Sequence, residues 1–239
     1  MERFVDIHTH ILPGMDDGAQ NPDQALELLK MAWDSGIGAV ILTPHYRGHY
    51  RRNTPQQLRQ AYESLCAQAK KELPELELYL GNEVGIEIEL AEKLTDGRTL
   101  SLNGGSYVLL EFHSDCTAKQ VVNGVLDILN CGFTPIIAHA ERCDAFLNDR
   151  HLAGDVIDFG ALIQLNAAGV MGRTGCRAKR CCHRLLKKNQ VHFIASDAHD
   201  MKTRPPRLDE CYRLVCKKYG EDYADALFRR NARTVLTSK

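Results

Sequence analysis

Short apolar runs alternate along the chain with amphipathic stretches, and this alternation limits the fold more than any other feature. The runs are rich in β-branched and aromatic residues and mostly continuous, which is typical of strands covered on both faces. Strands that alternate with helices predict a parallel sheet. No linker or repeat divides residues 1–239, so we expect one α/β domain that forms a closed or nearly closed barrel. The seven runs cover residues 4–8, 39–43, 76–80, 106–111, 134–139, 161–166 and 191–196.

The stretches between the runs carry the signals of helix boundaries. Asn21, Thr54 and Thr117 stand where a helix N-cap is expected, and Gly36 and Gly132 follow the first and third patterns. A capping side chain accepts from the first free N–H groups, and glycine favours the turn that ends a helix. We therefore predict helices over residues 21–36, 54–73, 117–132, 176–189 and 206–220, a short helix over 86–94, and a hairpin over 96–108.

Polar residues of one chemical kind follow the apolar runs. In parallel α/β barrels the carboxyl ends of the strands and the loops after them lie on one face, where functional sites are built. Six of the seven predicted strands deliver a histidine or acid there. These candidate metal ligands are His8, His10, His45, Glu83, Glu111, His139, Asp197 and His199.

Residues two apart in a strand point to the same face, so His8 and His10 can address one point. The turn that follows them contains Asp17, and we expect Gly14 and Gly18 to give this loop the dihedral freedom to place that carboxylate on the same face. Each residue alone has a simpler interpretation. His45 could be an ordinary loop histidine, Glu111 an outward-facing carboxylate, and Asp16 and Asp17 turn caps. The whole set is harder to explain in that way.

Four acids and five histidines exceed what one tetrahedral ion needs, so we predict two or three divalent ions. Imidazole and carboxylate ligands without thiolate suit manganese, iron or zinc. Closely spaced ions of this kind serve the hydrolysis of phosphate esters. Arg142 stands three residues after His139, and a guanidinium suits phosphate oxygens. The simpler interpretation of Arg142, and of Arg204, is a solvated surface charge.

Composition excludes several classes of protein. The formal net charge is -1, so nucleic acid is not an expected partner. No long apolar run predicts a membrane span, and no leader pattern is present, so we expect a cytoplasmic protein. The nine cysteines contain no C-x-x-C pair and we expect them to be reduced. We interpret Cys176, Cys181 and Cys182 as helix thiols rather than a second metal site.

Seven motifs resemble those of the polymerase and histidinol phosphatase family, most closely its branch of bacterial capsule and exopolysaccharide tyrosine-protein phosphatases. They are DIHTHILPGMDDGA, TPHY, GNEV, LLEF, IIAHAER, LIQLNAAGVMG and IASDAHD, within residues 6–200. The resemblance implies a distorted (β/α)7 barrel and a trinuclear site, most often manganese, with iron, zinc or magnesium as alternatives. It also implies a phosphotyrosine substrate on a tyrosine kinase that controls polysaccharide export.

The same resemblance assigns roles to single residues. It implies one ion on His8, His10, Glu83 and Asp197, a second on Glu83, Glu111 and His139, and a third on Asp17, His45 and His199. Arg142 and Arg204 match the catalytic arginines that contact phosphate in the family. Two other functions stay open: a small-molecule phosphatase acting on a compound such as histidinol phosphate, and a non-catalytic binding module.

The cysteines argue independently against another phosphatase mechanism. A cysteine nucleophile of that class needs an arginine six residues later, and none of the nine cysteines has one. We therefore expect hydrolysis by a metal-activated hydroxide. The segment 46–55 is rich in arginine and tyrosine, and it is either a rim that binds an acidic phosphopeptide or a solvated loop.

Overall fold

All seven apolar runs form parallel strands in the computed structural model, which describes residues 2–87 and 89–238 and every side chain among them except those of Arg51 and Arg52. Two further short strands follow the second and third runs. The strands are β1 Phe4–Thr9, β2 Ile37–Leu42, β3 His45–Tyr46, β4 Glu77–Leu80, β5 Glu83–Gly85, β6 Tyr107–Glu111, β7 Thr134–Ile137, β8 Leu162–Asn166 and β9 Phe193–Ala195.

The strands form two parallel sheets, ordered β1-β2-β4 and β3-β5-β6-β7-β8-β9. Ala39 of β2 pairs with Glu77 of β4, and after the break His45 pairs with Glu83 in the same way. The second and third predicted strands are therefore each interrupted and then resumed. Pro44 lies in the first break and has no N–H to donate to a ladder. Its carbonyl instead accepts a hydrogen bond from the Asn82 side chain at 2.8 Å.

Hydrogen bonds join the first strand to the segment after the last one. The N–H of Asp197 donates to the His8 carbonyl at 3.0 Å, and the N–H of His10 donates to the Ala198 carbonyl at 2.8 Å. Asp6, buried in β1, also accepts from the N–H of Ser196 at 3.1 Å. The parallel sheet is therefore curled, and its first and last strands meet at their carboxyl ends.

The five long predicted helices are present, with ends shifted by up to three residues. Thr54 and Thr117 each form a capping box, and the Asn21 side chain accepts from the N–H of Gln24. The helices are α1 Pro22–Asp34, α2 Pro55–Glu72, α3 Leu90–Thr95, α4 Ala118–Asn130, α5 Asp144–Asn148, α6 Leu152–Phe159, α7 Ala167–Met171, α8 Cys176–Lys187, α9 Asp209–Tyr219, α10 Glu221–Asp225 and α11 Asn231–Thr237, with a π-helical turn at Ala226–Arg230.

The predicted hairpin over 96–108 is wrong. The N–H of Leu100 donates to the Asn82 side chain at 3.0 Å, and the N–H of Asn82 donates back to the Leu100 carbonyl. The segment is thereby tied to the loop after β4 instead of folding back on itself. The short helix predicted over 86–94 begins only at Leu90, and Ile88 lies outside the described residues.

Apolar side chains cover the sheet on both faces. The larger buried cluster joins strand residues to helices α1, α2, α4 and α8, with Phe146 and Phe228 fully buried in it. A smaller cluster joins Val5, Ile7 and Phe193 to residues of α11. Within the described residues, no helix combines the length and apolar character needed to cross a membrane.

Candidate metal centre

The nine predicted ligands come together at the carboxyl edge of the strands. Their donor atoms form four overlapping groups, and within each group all the donor atoms lie within 4.8 Å of one another. Such spacing allows one cation to be shared by each group. The groups are His10 with Asp17, His45 and His199; His8 with His10 and Asp197; His8 with Glu83 and His139; and His45 with Glu83 and Glu111.

Glu83, on β5, is at the centre of these groups and is fully buried. Its Oε1 lies 2.7 Å from His139 Nε2 and 3.2 Å from His8 Nε2, and its Oε2 lies 2.7 Å from His45 Nδ1. Burial opposes ionisation of Glu83, but the charge of His8 and the hydrogen bonds from His139 and His45 hold the pKa of this carboxyl well below its usual range. A buried carboxylate that faces several imidazoles can bridge two cations.

Asp197 follows β9, and two side chains contact one of its carboxylate oxygens. The Asn166 side chain donates to Asp197 Oδ2 at 2.8 Å, and Arg142 Nη1 lies 2.8 Å from the same oxygen. Burial opposes the charge of Asp197, but His8, His10 and Arg142 keep its pKa well below the usual value. The other oxygen, Oδ1, lies 3.5 Å from His8 Nε2 and 3.4 Å from His10 Nε2 and is available to a cation.

Asp17 lies above the buried histidines and is partly exposed. Its Oδ1 lies 3.3 Å from His45 Nε2 and 3.5 Å from His199 Nε2, and Arg204 Nη2 lies 4.0 Å from its Oδ2. Hydrogen bonds from His199 and His45 hold the pKa of Asp17 far below its usual range. Burial lowers the pKa of His45, but the contacts with Asp17 and Glu83 outweigh it and raise that pKa to about 9. Asp17 is therefore present as a carboxylate, the form that binds a cation.

The loop after β1 reaches the centre through two glycines that act differently. Gly14 has a φ of 73°, as expected for a residue chosen for dihedral freedom. The same expectation for Gly18 is wrong, because Gly18 has no positive φ. A Cβ there would instead lie 1.7 Å from the His10 carbonyl oxygen. Gly18 allows two backbone segments to approach closely. Asp16 accepts from its N–H at 3.0 Å and lies 2.7 Å from His10 Nδ1.

Glu111 ends β6 next to a second carboxylate. Its oxygens lie 3.7 Å from His139 Nε2 and 3.9 Å from His45 Nδ1, and Arg47 Nε lies 2.9 Å from Oε2. Burial and the negative charge of Glu83 raise the pKa of Glu111. Two neighbouring carboxylates favour a shared cation. Arg47 is a contact that the sequence did not predict.

Two amide side chains from the sixth apolar run support the ligands. Gln164 Oε1 accepts from the N–H of His139 at 2.9 Å and lies 3.1 Å from His8 Nδ1. Gln164 in turn donates to Asn166, which donates to Asp197. These roles of Gln164 and Asn166 were not predicted from the sequence. The available signal was polar side chains within an otherwise apolar strand, which must find partners when buried.

Two of the predicted ligands have a left-handed backbone. His139 has a φ of 32° and Asp197 a φ of 54°. Residues other than glycine, asparagine and aspartate seldom adopt this region, so the backbone of His139 is strained. Both residues stand two positions after the last residue of a strand. Strain of this kind persists where the surrounding contacts fix a functional side chain.

A groove of about 560 Å³ opens over the centre. Its lining includes the ligands Asp17, Glu111 and His139, the apolar side chains of Ile86 and Phe112, and Arg142. Residues of the predicted rim, from Arg47 to Tyr50, also line it. The groove therefore offers both polar groups and apolar surface, as the binding of an aryl phosphate needs.

Comparison with known proteins gives the family. The family model for capsular polysaccharide synthesis, CpsB/CapC, matches residues 4–237. The chain belongs to the CpsB/CapC family. It is 34% identical over 219 residues to the tyrosine-protein phosphatase YwqE of Bacillus subtilis, covering 92% of this chain and 86% of YwqE. It is 30% identical over 238 residues to the tyrosine-protein phosphatase CpsB of Streptococcus pneumoniae, covering 98% of each.

Solved structures agree with this family. One, described as belonging to YwqE and CpsB, unique metal-dependent tyrosine phosphatases, superposes with a TM-score of 0.91 at 33% identity, covering 98% of this chain and 94% of that one. A phosphotriesterase homology protein from Escherichia coli superposes with a TM-score of 0.60 at 12% identity, covering 97% and 98%. The second likeness concerns the fold alone.

The donor set of this CpsB/CapC member fits divalent cations. In the described part of the chain, Glu83 Oε2, Glu111 Oε2 and His199 Nε2 are buried and lie close to charged or imidazole groups, but none of them forms a well-aligned hydrogen bond. Buried polar atoms are normally satisfied, so atoms of this kind that converge on one region fit the binding of a cation. Imidazole and carboxylate ligands suit manganese, iron or zinc.

The cysteines are not among the potential ligands of this centre. All nine are free, and none belongs to a group of potential metal ligands within the described residues. Cys181 and Cys182 are buried in α8, and Cys176 at its start is exposed. Cys116 and Cys143 lie close together, with 3.0 Å between their Sγ atoms.

Proposed function

We propose that the chain is a metal-dependent protein-tyrosine phosphatase, with a bacterial tyrosine kinase that regulates capsular or exopolysaccharide synthesis as its substrate. One observation carries the proposal: nine potential ligands converge below an open groove in a member of the CpsB/CapC family. The names of YwqE and CpsB support phosphotyrosine as the substrate. The working compartment is the cytoplasm, and residues 1–239 act as one domain in a distorted (β/α)7 barrel.

The nine ligands hold two or three divalent ions, with manganese as the first choice. Glu83 would contribute to a first site with His8, His10 and Asp197 and to a second site with Glu111 and His139. The third site consists of Asp17, His45 and His199. The short distances among these donors support the assignment. When bound, such ions supply an activated water and polarise the phosphoryl oxygens.

The side chains of the groove position the substrate. Arg142 and Arg204 bind the phosphoryl oxygens, and their planar guanidinium groups match that geometry. Arg142 is held against Asp197, so it reaches the phosphate without a large rearrangement. The tyrosine ring lies against Ile86 and Phe112. A phenolate leaving group, with a pKa near 10, needs less proton donation than an alkoxide.

Metal analysis paired with hydrolysis assays tests this function. We expect manganese-loaded protein to hydrolyse a phosphotyrosine peptide faster than histidinol phosphate, which separates the protein phosphatase from a small-molecule phosphatase. His139→Ala and Asp197→Ala should each lower kcat by more than about 100-fold while circular dichroism stays unchanged. His151→Ala, at an exposed position outside the groove lining, serves as the control. Normal turnover by either variant after metal removal contradicts the mechanism.

A further inference from the structure

A second, smaller cavity shares Arg142 with the groove. Its volume is about 140 Å³, and it is formed by residues that follow β8 and β9 and by the first turn of α9. Because Arg142 lines both spaces, a group in the small cavity lies beside a phosphate bound at the metal centre. Its polar lining includes Arg142, Arg173, Arg204, Arg207, Ser196 and Glu210.

The lining of this cavity carries more positive than negative charge. Four arginines line it together with one carboxylate, that of Glu210, which forms an ion pair with Arg173. Arg142 and Arg204 face Asp197 and Asp17 of the metal centre. Arg207 is exposed and forms no ion pair with any residue that the structure describes. A guanidinium presents a fork of donors that matches a carboxylate in a bidentate manner. The cavity therefore favours an anionic group.

The size of the cavity narrows the choice of anion. At about 140 Å³ it has a quarter of the volume of the groove, where the phosphotyrosine ring lies. Ala167 and Ala168 line it together with the arginines and offer no aromatic surface for a second ring. A carboxylate on a short aliphatic stem suits this space better than a second phosphotyrosine.

We propose that this cavity binds the carboxylate of an aspartate or glutamate next to the phosphotyrosine, so that the enzyme prefers acidic phosphopeptides. The inference rests on the proposed phosphatase function and adds its substrate class. An extended residue spans about 3.3 to 3.6 Å, so the acidic residue stands within roughly two positions of the phosphotyrosine.

Matched peptides test the proposal on the metal-loaded enzyme. One phosphotyrosine peptide carries glutamate at the two positions on each side, and its partner carries glutamine at those positions. We expect kcat/KM to favour the glutamate peptide by about two- to five-fold, as for an exposed ion pair. Arg207→Glu should abolish this preference. Arg173→Gln should reduce it, because Glu210 then loses its partner.

Three controls keep the result specific. Arg180→Glu, on an exposed position of α8 outside the cavity lining, should keep the preference. Hydrolysis of p-nitrophenyl phosphate, which has no flanking residue, should change by less than about two-fold in Arg207→Glu and Arg173→Gln, because neither side chain lines the groove. Thermal unfolding checks that the variants are folded. The preference should also weaken as salt is raised.

The possible outcomes distinguish an error in the phosphatase function from an error in the proposed role of the cavity. If the metal-loaded wild type hydrolyses neither the peptides nor p-nitrophenyl phosphate, the phosphatase function is wrong and the cavity inference is overturned with it. If it hydrolyses both peptides equally well, only the cavity inference is overturned. An acidic preference that survives in both arginine variants also overturns it, and assigns that preference to the rim at 46–55.

Discussion

Single residues outside the predicted ligand set hold the candidate metal centre in shape. Asp16 orients His10, Gln164 contacts His8, and Asn166 donates to Asp197. A partner on the second ring nitrogen of a histidine fixes the tautomer that leaves the other nitrogen free for a metal. These contacts therefore help to fix the positions of the donor atoms.

Replacing Asp16 should weaken metal binding without removing a ligand. The Asp16 carboxylate lies beside His10 Nδ1 and also accepts from the N–H of His45 at 3.0 Å. In Asp16→Asn this carboxylate becomes a neutral amide, so its negative charge is lost. We expect metal affinity to fall about 10- to 100-fold, with activity partly restored by excess metal. Titration calorimetry measures the affinity, with Asp158→Asn at an exposed position as the control. An affinity equal to that of the wild type contradicts the role of Asp16.

At the scale of elements, the loops that follow the strands position the ligands, and the strands fix where those loops start. The loop after β1 passes so close to His10 that no side chain fits at Gly18. The start of β9 is tied to β8 through His192, whose N–H donates to the Ile163 carbonyl at 2.9 Å and whose Nδ1 accepts from the Ile163 N–H at 3.1 Å.

Gly18→Ala should damage both the loop and the metal centre. The new methyl group would overlap the His10 carbonyl, so the backbone that carries Asp17 must move. We expect a loss of about 1 to 3 kcal/mol in the free energy of unfolding, as for overpacking, and a loss of activity. Urea unfolding and a metal titration measure the two effects. Gly154→Ala is the control, since Gly154, like Gly18, has no positive φ and its Cβ would meet only the end of the Gln190 side chain, at 3.3 Å.

His192 should make stability depend on pH on the acid side. Burial lowers the pKa of His192, and its Nδ1 must be unprotonated to accept from Ile163. Below the usual histidine pKa of about 6.5, the unfolded chain binds more protons at this residue than the folded one, so stability falls as pH falls.

We expect this loss to be smaller in His192→Asn, because the asparagine oxygen can accept from Ile163 and does not titrate. Urea unfolding between about pH 7 and pH 5 measures the difference. His151→Asn, at an exposed position, is the matched control. Parallel pH profiles of the wild type and His192→Asn would exclude this role of His192.

At the scale of the whole molecule, metal binding should be linked to folding. The centre draws ligands from the regions of both sheets, so an ion bound there stabilises only the folded chain. With metal at about 100 times its dissociation constant, the gain is about 2.7 kcal/mol, which corresponds to a Tm increase of about 5 to 10 °C.

A chelator should therefore lower Tm by this amount and remove activity, and added manganese should restore both. Calorimetry with and without chelator gives the shift. In Glu83→Gln, which removes the central carboxylate, the shift should be much smaller. An equal shift in the variant would place the stabilising metal elsewhere.

Much of the architecture could be predicted because it depends on local signals. Thr54 and Thr117 began helices as expected, since capping depends on residues three apart. The hairpin over 96–108 failed because the partner of Leu100 is Asn82, which no local pattern identifies. Gly18 was assigned the wrong role, because a close approach of two backbone segments leaves no signal in composition.

The sequence by itself determined which residues can bind a cation and on which side of the sheet they lie. Strand periodicity and the common direction of parallel strands decide both without knowledge of distant contacts. Only the tertiary structure decided that Gln164, Asn166 and Asp16 hold those ligands in place and that Arg207 shares a cavity with Arg142. Such contacts join residues far apart in the chain, and they depend on how the loops pack after the sheet has curled.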